Sequence, residues 1–223
     1  AFIVNRKLPE NYFHTKDYVV IPATGLPRGS AAPITSLDSP VKPGNDEFKT
    51  GKPSEKTAPP PEVLKRMAIT FDDGPHPEYT ERLLLALRES RVRATFFVVG
   101  KQVELHPGLV RKIFQDGHEI ANHTFSHRDM RRLSASEIAE ELDKTEKLVF
   151  AVTGKKMKYF RPPGGQYNSA VVAAAKEKGY EMVLWSVFPQ DHRNPPASQI
   201  RARTLAGAKA GGIVLFHSGI QNT

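Results

Sequence analysis

From Met67 onward, short apolar runs alternate with amphipathic stretches, and the alternation continues almost to the end of the chain. The run Met67-Ala68-Ile69-Thr70-Phe71 has the length and composition of a buried strand. Residues 79–89 then bring Leu83, Leu84 and Leu87 to one side of a helix. Residues 94–99 read as a second strand, residues 109–115 as a helix opened by Pro107 and closed by Gly117, and residues 119–122 as a short third strand. Ser134-Ala135-Ser136-Glu137 is a capping box, because a Ser and a Glu three residues apart can each satisfy the other's backbone N–H. Ile138, Leu142, Thr145, Val149 and Val152 follow it at helical spacing. Tyr159-Phe160 predicts a strand leading into Arg161, residues 170–178 a helix ended by Gly179, residues 182–187 a strand, residues 198–209 a helix, and residues 213–216 a last strand. Six strands alternating with five helices predict an α/β fold with a parallel sheet, most economically closed into a barrel.

The first part of the chain reads differently. Ten of the 18 prolines fall in the first 66 residues. Residues 25–64 carry Pro, Gly, Ser, Lys and Thr with no apolar period and include Pro59-Pro60-Pro61, the composition of a linker that is semi-rigid where proline is dense. Before it, residues 1–24 end in Tyr18-Val19-Val20-Ile21-Pro22, which resembles the closing strand of a LysM module, a small peptidoglycan- and chitin-binding domain. An unattached strand or a tail is the alternative reading. The expected organisation is therefore a partial LysM-like segment at 1–24, a linker at 25–64, and one domain at 65–223.

Composition narrows the chemistry. There are no cysteines, so disulfides and thiolate metal sites are excluded and any metal must rest on His, Asp and Glu. No apolar stretch approaches the length of a membrane span. The net charge of +8 is spread along the chain without a basic block, which suits an anionic surface such as a bacterial wall better than nucleic acid.

Two strings carry the candidate chemistry. Thr70-Phe71-Asp72-Asp73-Gly74-Pro75 puts two carboxylates at the end of an apolar run, where Gly and Pro turn the backbone. Asn122-His123-Thr124-Phe125-Ser126-His127 offers two imidazoles four residues apart. One Asp with two His is a ligand set a catalytic zinc uses, with an open position for water, and a spare carboxylate can then move protons. Asp72, Asp73, His123, Arg161, Asp191 and His217 all lie just after a predicted strand. In a parallel barrel those strand ends converge on one face, where the chemistry is carried.

These residues give the chain from about Lys65 onward a resemblance to the NodB-homology polysaccharide deacetylases, the fourth family of carbohydrate esterases. Residues 70–75 resemble the first motif of that family, whose leading Asp is the catalytic base and whose second Asp binds metal. Residues 123–127 resemble the second, which supplies two histidine ligands. Arg161-Pro162-Pro163-Gly164-Gly165 is similar to the third, with an Arg that orients the base and backbone that lines the oxyanion site. Leu215-Phe216-His217 is similar to the fifth, where the His is the general acid. The resemblance implies a distorted parallel (β/α) barrel, a divalent ion on Asp73, His123 and His127 (zinc, with cobalt or another divalent ion as alternatives), and catalytic roles for Asp72, His217, Arg161 and Asp191. Gly164, Tyr167 and Leu215 are expected to contact substrate. It also implies hydrolysis of N-acetyl groups on an acetylated glycan by a monomer acting outside the cytoplasm or at the cell wall. The expected substrate is N-acetylglucosamine of peptidoglycan, with chitin oligosaccharides or acetylated xylan as alternatives, and a catalytically weakened glycan-binding module as an alternative of another class.

The fourth motif departs from the family pattern. Phe188 stands where a carboxylate is usual, and His192 follows Asp191 where an aromatic is usual. Without another carboxylate His217 is expected to have a lowered pKa, and Asp191 is the one neighbour able to prevent that. His14, His76, His106 and His118 are expected to be structural or at the surface, and Trp185 and Phe188 to pack. Only Ser218 to Thr223 follow the sixth strand, so the final helix and strand of such a barrel are expected to lie beyond this chain, leaving the flank of the last strand open.

Overall fold

The computed structural model describes residues 67–219, and the segments assigned to 1–24 and 25–64 lie outside the described residues. Six strands, β1 (Ala68–Asp72), β2 (Thr95–Val98), β3 (Glu119–Asn122), β4 (Tyr159–Phe160), β5 (Glu181–Met182) and β6 (Ile213–His217), form one sheet in the order β5-β4-β3-β2-β1-β6. All pairs are parallel, and the sheet curls into a half-barrel. Six helices connect and cover it: α1 (Thr80–Glu89), α2 (Gly100–Leu105), α3 (Pro107–Gln115), α4 (Ala135–Thr153), α5 (Ser169–Glu177) and α6 (Ala197–Gly207). No described helix is long and apolar enough to cross a membrane.

Strand alternation sorts the side chains into two layers. Phe71, Phe96, Val98, Ile120 and Phe160 point outward and pack with Leu84, Leu87, Val110, Ile113, Ile138, Leu142 and Val149 of the helices. Phe71 stacks on Phe96 and Phe216, at 5.2 and 5.7 Å between ring centres. Ala68, Phe97, Ala121, Tyr159, Val183 and Ile213 form a smaller inner cluster. Continuing the inner alternation toward the C-terminal strand ends leads from Ala68 through Thr70 to Asp72, from Ala121 to His123, from Tyr159 to Arg161, and from Ile213 to His217. The period of two therefore delivers polar residues to one rim while the outer layer stays apolar.

Three features differ from expectation. The first is α2, which the sequence reading missed. Its N-terminal amides, Gly100 N and Lys101 N, donate to Thr124 O and Phe125 O, each at 2.9 Å, so it docks on the histidine loop. Gly100 reads as a breaker, but it is small for a packing reason, since a Cβ there would lie 2.6 Å from both Phe125 Cδ2 and Thr145 Oγ1. The second is the strand expected over 182–187, whose ladder with β4 stops at Met182. The chain then crosses to β6, where Ser186 N and Val187 N donate to Ile213 O and Leu215 N donates to Val187 O, each at 3.0 Å. The third follows from this crossing: the flank of β6, expected to be open, is met by Ser186 and Val187.

Candidate active site

Asp73, His123 and His127 converge at the rim, with one ligand atom from each within 4.8 Å of the others. Asp73 Oδ1 lies 3.1 Å from His127 Nε2 and 3.5 Å from His123 Nε2, yet it is buried and makes no well-formed hydrogen bond. Burial pushes its carboxyl up, and the two imidazoles facing it overcompensate, holding it well below the usual carboxylate range. The same contact with Asp73 raises the pKa of His127 against its partial burial. His123 Nδ1 is 2.7 Å from Arg161 O, an atom that only accepts, so Nδ1 carries a proton there. Nε2 then faces Asp72 Oδ2 and Asp73 Oδ1, both at 3.5 Å. With Nε2 unprotonated, that nitrogen and the two carboxylate oxygens face one point, which a divalent cation could share. The donor set thus fits a divalent cation. Asp73, Thr124 and His127 also hold positive φ angles of 73°, 68° and 58°, costly for non-glycine residues and characteristic of ligand loops.

Asp72 is held from the opposite side. Arg161 is fully buried, and its Nη1 donates to Asp72 Oδ1 at 2.6 Å and to Thr70 Oγ1 at 2.9 Å. Nε and Nη2 donate to Val183 O and Leu184 O at 3.1 and 3.2 Å. The guanidinium lies 3.9 Å from the centre of the Phe97 ring. It therefore supplies donors to the carbonyls that lose a ladder partner where the chain leaves β4 for β6. Burial lowers the pKa of Arg161, opposed by the charge and hydrogen bond of Asp72.

Asp191, in the fourth motif, lies against His217. It is completely buried, with Oδ1 2.9 Å from His217 Nδ1 and Oδ2 accepting from His217 N at 2.6 Å. Burial pulls the His217 imidazole down, but the hydrogen bond and charge of Asp191, with Asp73 and Asp72 adding to them, raise its pKa above the ordinary value. The lowered pKa was expected only in the absence of another carboxylate, and Asp191 supplies one in contact with His217. Phe188, though 39% exposed, packs its ring on His192 at 5.1 Å and against Trp185 at 5.8 Å. Trp185 is half-buried against the inner cluster, and Gly165, at φ 66°, gives it room, since a Cβ there would lie 2.7 Å from the indole. His118 is a buried structural residue whose Nδ1 accepts from Ala94 N at 3.1 Å.

Of the expected substrate contacts, Gly164 is exposed on the turn after Pro163, with φ 60°. Tyr167 is half-buried against the outer apolar layer. Leu215 is only 2% exposed and sits in the wall below His217, so it offers almost no free surface.

Sequence reading missed the residues that stiffen the histidine loop. Glu141, buried on α4, accepts from Phe125 N at 2.9 Å and from Ser126 N at 2.7 Å, and also takes the Ser126 hydroxyl. Asn122 Oδ1 accepts from Thr124 N at 2.8 Å, while its Nδ2 donates to Leu142 O and Tyr180 Oη at 2.9 and 3.0 Å. Glu141 follows Ile138 by three positions on the inward stripe of α4, and an acidic residue on an apolar stripe was the available signal.

Residues 61–183 match the polysaccharide deacetylase family model. The chain is 42% identical over 161 residues to a peptidoglycan-N-acetylglucosamine deacetylase of Bacillus cereus, covering 71% of this chain and 75% of that one. It is 34% identical over 199 residues to a Listeria monocytogenes protein of the same designation, of which it spans 41%. The fold is similar to that of a wild-type pseudoenzyme of carbohydrate esterase family 4 from Bacillus anthracis, with a TM-score of 0.69 and 30% identity over 71% of this chain and 56% of that one. The family match and the convergent rim agree, and this chain belongs to the polysaccharide deacetylase family.

Proposed function

We propose that this chain hydrolyses the N-acetyl groups of N-acetylglucosamine residues in cell-wall polysaccharide, peptidoglycan first, using one divalent cation held by Asp73, His123 and His127. The observation that supports this reading is the convergence of one ligand atom each from Asp73, His123 and His127 within 4.8 Å, around a buried Asp73 Oδ1 that makes no well-formed hydrogen bond. When bound, such a cation acidifies water and polarises an acyl oxygen.

The chain's own residues supply the remaining steps. Asp72 takes the proton of the attacking water, its carboxylate fixed in place by Arg161. The turn at Gly164 presents backbone toward the carbonyl oxygen. His217, kept protonated by Asp191, delivers a proton to the departing amine. The peptidoglycan substrate is supported by the designation of the two relatives and by the positive charge of the chain, which suits an anionic wall outside the cytoplasm.

The likeness to a pseudoenzyme supports a second reading, a glycan-binding module without turnover. Against it, both carboxylates, both ligand histidines, Arg161 and the Asp191–His217 pair are all present and converge. Acetate release from peptidoglycan, chitin oligosaccharides and acetylated xylan tests the proposal. Fastest release from peptidoglycan is expected. Faster release from either of the others reassigns the glycan, and no release from any of them leaves the binding module.

A further inference from the structure

A second group of side chains shares no residue with the first. Asp191, His192 and His217 also bring one ligand atom each within 4.8 Å of one another. We propose that these three form a second, inhibitory site for a divalent ion of the zinc class. Two of its donors, Asp191 Oδ1 and His217 Nδ1, share a hydrogen bond of 2.9 Å, and an ion in place of that proton needs them to part only to about 3.3 Å, the separation of two ligands on one zinc. Closing the site therefore falls to His192, which is exposed. Its ring plane is set by Phe188, stacked at 5.1 Å and 3°. That stacking turns it across His217, with ring centres 5.6 Å apart and planes at 62°. Two imidazoles and a carboxylate favour zinc, nickel and copper over magnesium or calcium.

The inhibition follows from proton bookkeeping and rests on His217 being the acid of the proposed reaction, whereas the binding itself does not. A cation on His217 Nδ1 would occupy the nitrogen now hydrogen-bonded to Asp191 Oδ1, so the ring could not take up the proton it is proposed to deliver. No bond to substrate is made or broken. The ion competes with a proton, and the amine leaves without its acid.

The test is zinc binding by calorimetry on metal-free protein, followed by acetate release at rising zinc. Wild type is expected to bind two ions, His192→Phe one, His123→Ala one, and the double variant none. Residue 192 is exposed, so phenylalanine there can stack on Phe188 without disturbing the fold. With excess zinc the wild-type rate is expected to fall by about tenfold or more, as the loss of a general acid implies, while His192→Phe shows no fall. A His192→Phe protein with the wild-type stoichiometry, or a His123→Ala protein that binds no zinc, overturns the second site. Because His123→Ala reads that site alone, the result separates from any failure of the deacetylase reading. Two ions bound without inhibition overturn the inhibitory role.

Discussion

The rim carries histidines on two loops that are built in opposite ways. The loop of His123 and His127 is anchored from outside the barrel, by Glu141 on α4, by Asn122 and Tyr180, and by the first turn of α2. Its histidines are held before any ligand arrives. The loop carrying Asp191 and His192 has positive φ at Gln190 and Asn194, 62° and 50°, and sets the buried Asp191 carboxylate and the His192 ring against His217. That carboxylate fixes His217, which stands on β6 and already has its direction from the sheet. We infer that the first loop fixes position and the second tunes a proton. A change in the first should therefore cost cation affinity, and a change in the second should cost pH range.

The largest effect is expected between the two loops, at Asp72. Asp72→Asn removes the proposed base and leaves the proposed cation ligands, so the rate constant should fall by about a thousandfold or more while zinc affinity persists. The change also strips buried Arg161 of its counter-ion, and a drop of about 3–5 kcal/mol in urea-unfolding stability should accompany it. Unchanged turnover would remove Asp72 from the mechanism.

Asp191→Asn comes next. Asp191 raises the pKa of His217, so the acid stays protonated to higher pH in the wild type. Losing it should move the alkaline limb of the pH–rate profile toward acid, with zinc affinity at the first site nearly unchanged. The linked stability has the same sign. A folded-state pKa above the unfolded value stabilises fully below the unfolded value and is lost as pH rises through the folded one. The stability gap between wild type and Asp191→Asn should thus be widest in mild acid and narrow on the alkaline side.

Glu141→Gln tests the anchored loop. Burial pushes this carboxyl up, but the hydrogen bonds from Ser126 and Phe125 outweigh it and lower its pKa, so its stabilising charge is present above the unfolded value and fades as pH falls through the folded one. The amide can still accept, but with less strength, and zinc affinity measured by competition with a chelator should drop by about tenfold. The alkaline limb should not move. If it moved and affinity did not, the contrast between the two loops would be reversed. Ser134→Ala is the smallest change. It removes a cap far from the rim, in which Ser134 Oγ accepts from Glu137 N and Glu137 Oε2 accepts from Ser134 N at 2.8 Å. Thermal unfolding should report about 1 kcal/mol lost, with kinetics unaffected.

The contrast also explains what the chain made legible. Strand alternation and the Asp-Asp and His-x-x-x-His strings located the rim, because period two and short ligand spacing are local properties. The capping box at Ser134 is local in the same sense, and it forms as read. Glu141 stands 15 residues from Ser126, so its role depends on how α4 crosses the loop, which no local pattern encodes. The early end of β5 has a similar cause. Residues 182–187 have strand composition, but Arg161 takes the carbonyls of Val183 and Leu184 and turns the chain toward β6. Spacing alone does not place Asp191 opposite His217, because the chain around it turns through left-handed residues at Gln190 and Asn194.

The central claim is that Asp73, His123 and His127 hold the cation on which acetyl hydrolysis depends. Acetate release by chelator-treated, metal-free protein, followed as zinc is added back, tests it directly. The account predicts no release before addition, and release that rises with the first equivalent in the wild type but not in His123→Ala. Full activity in the metal-free protein, or equal recovery in His123→Ala, would contradict it.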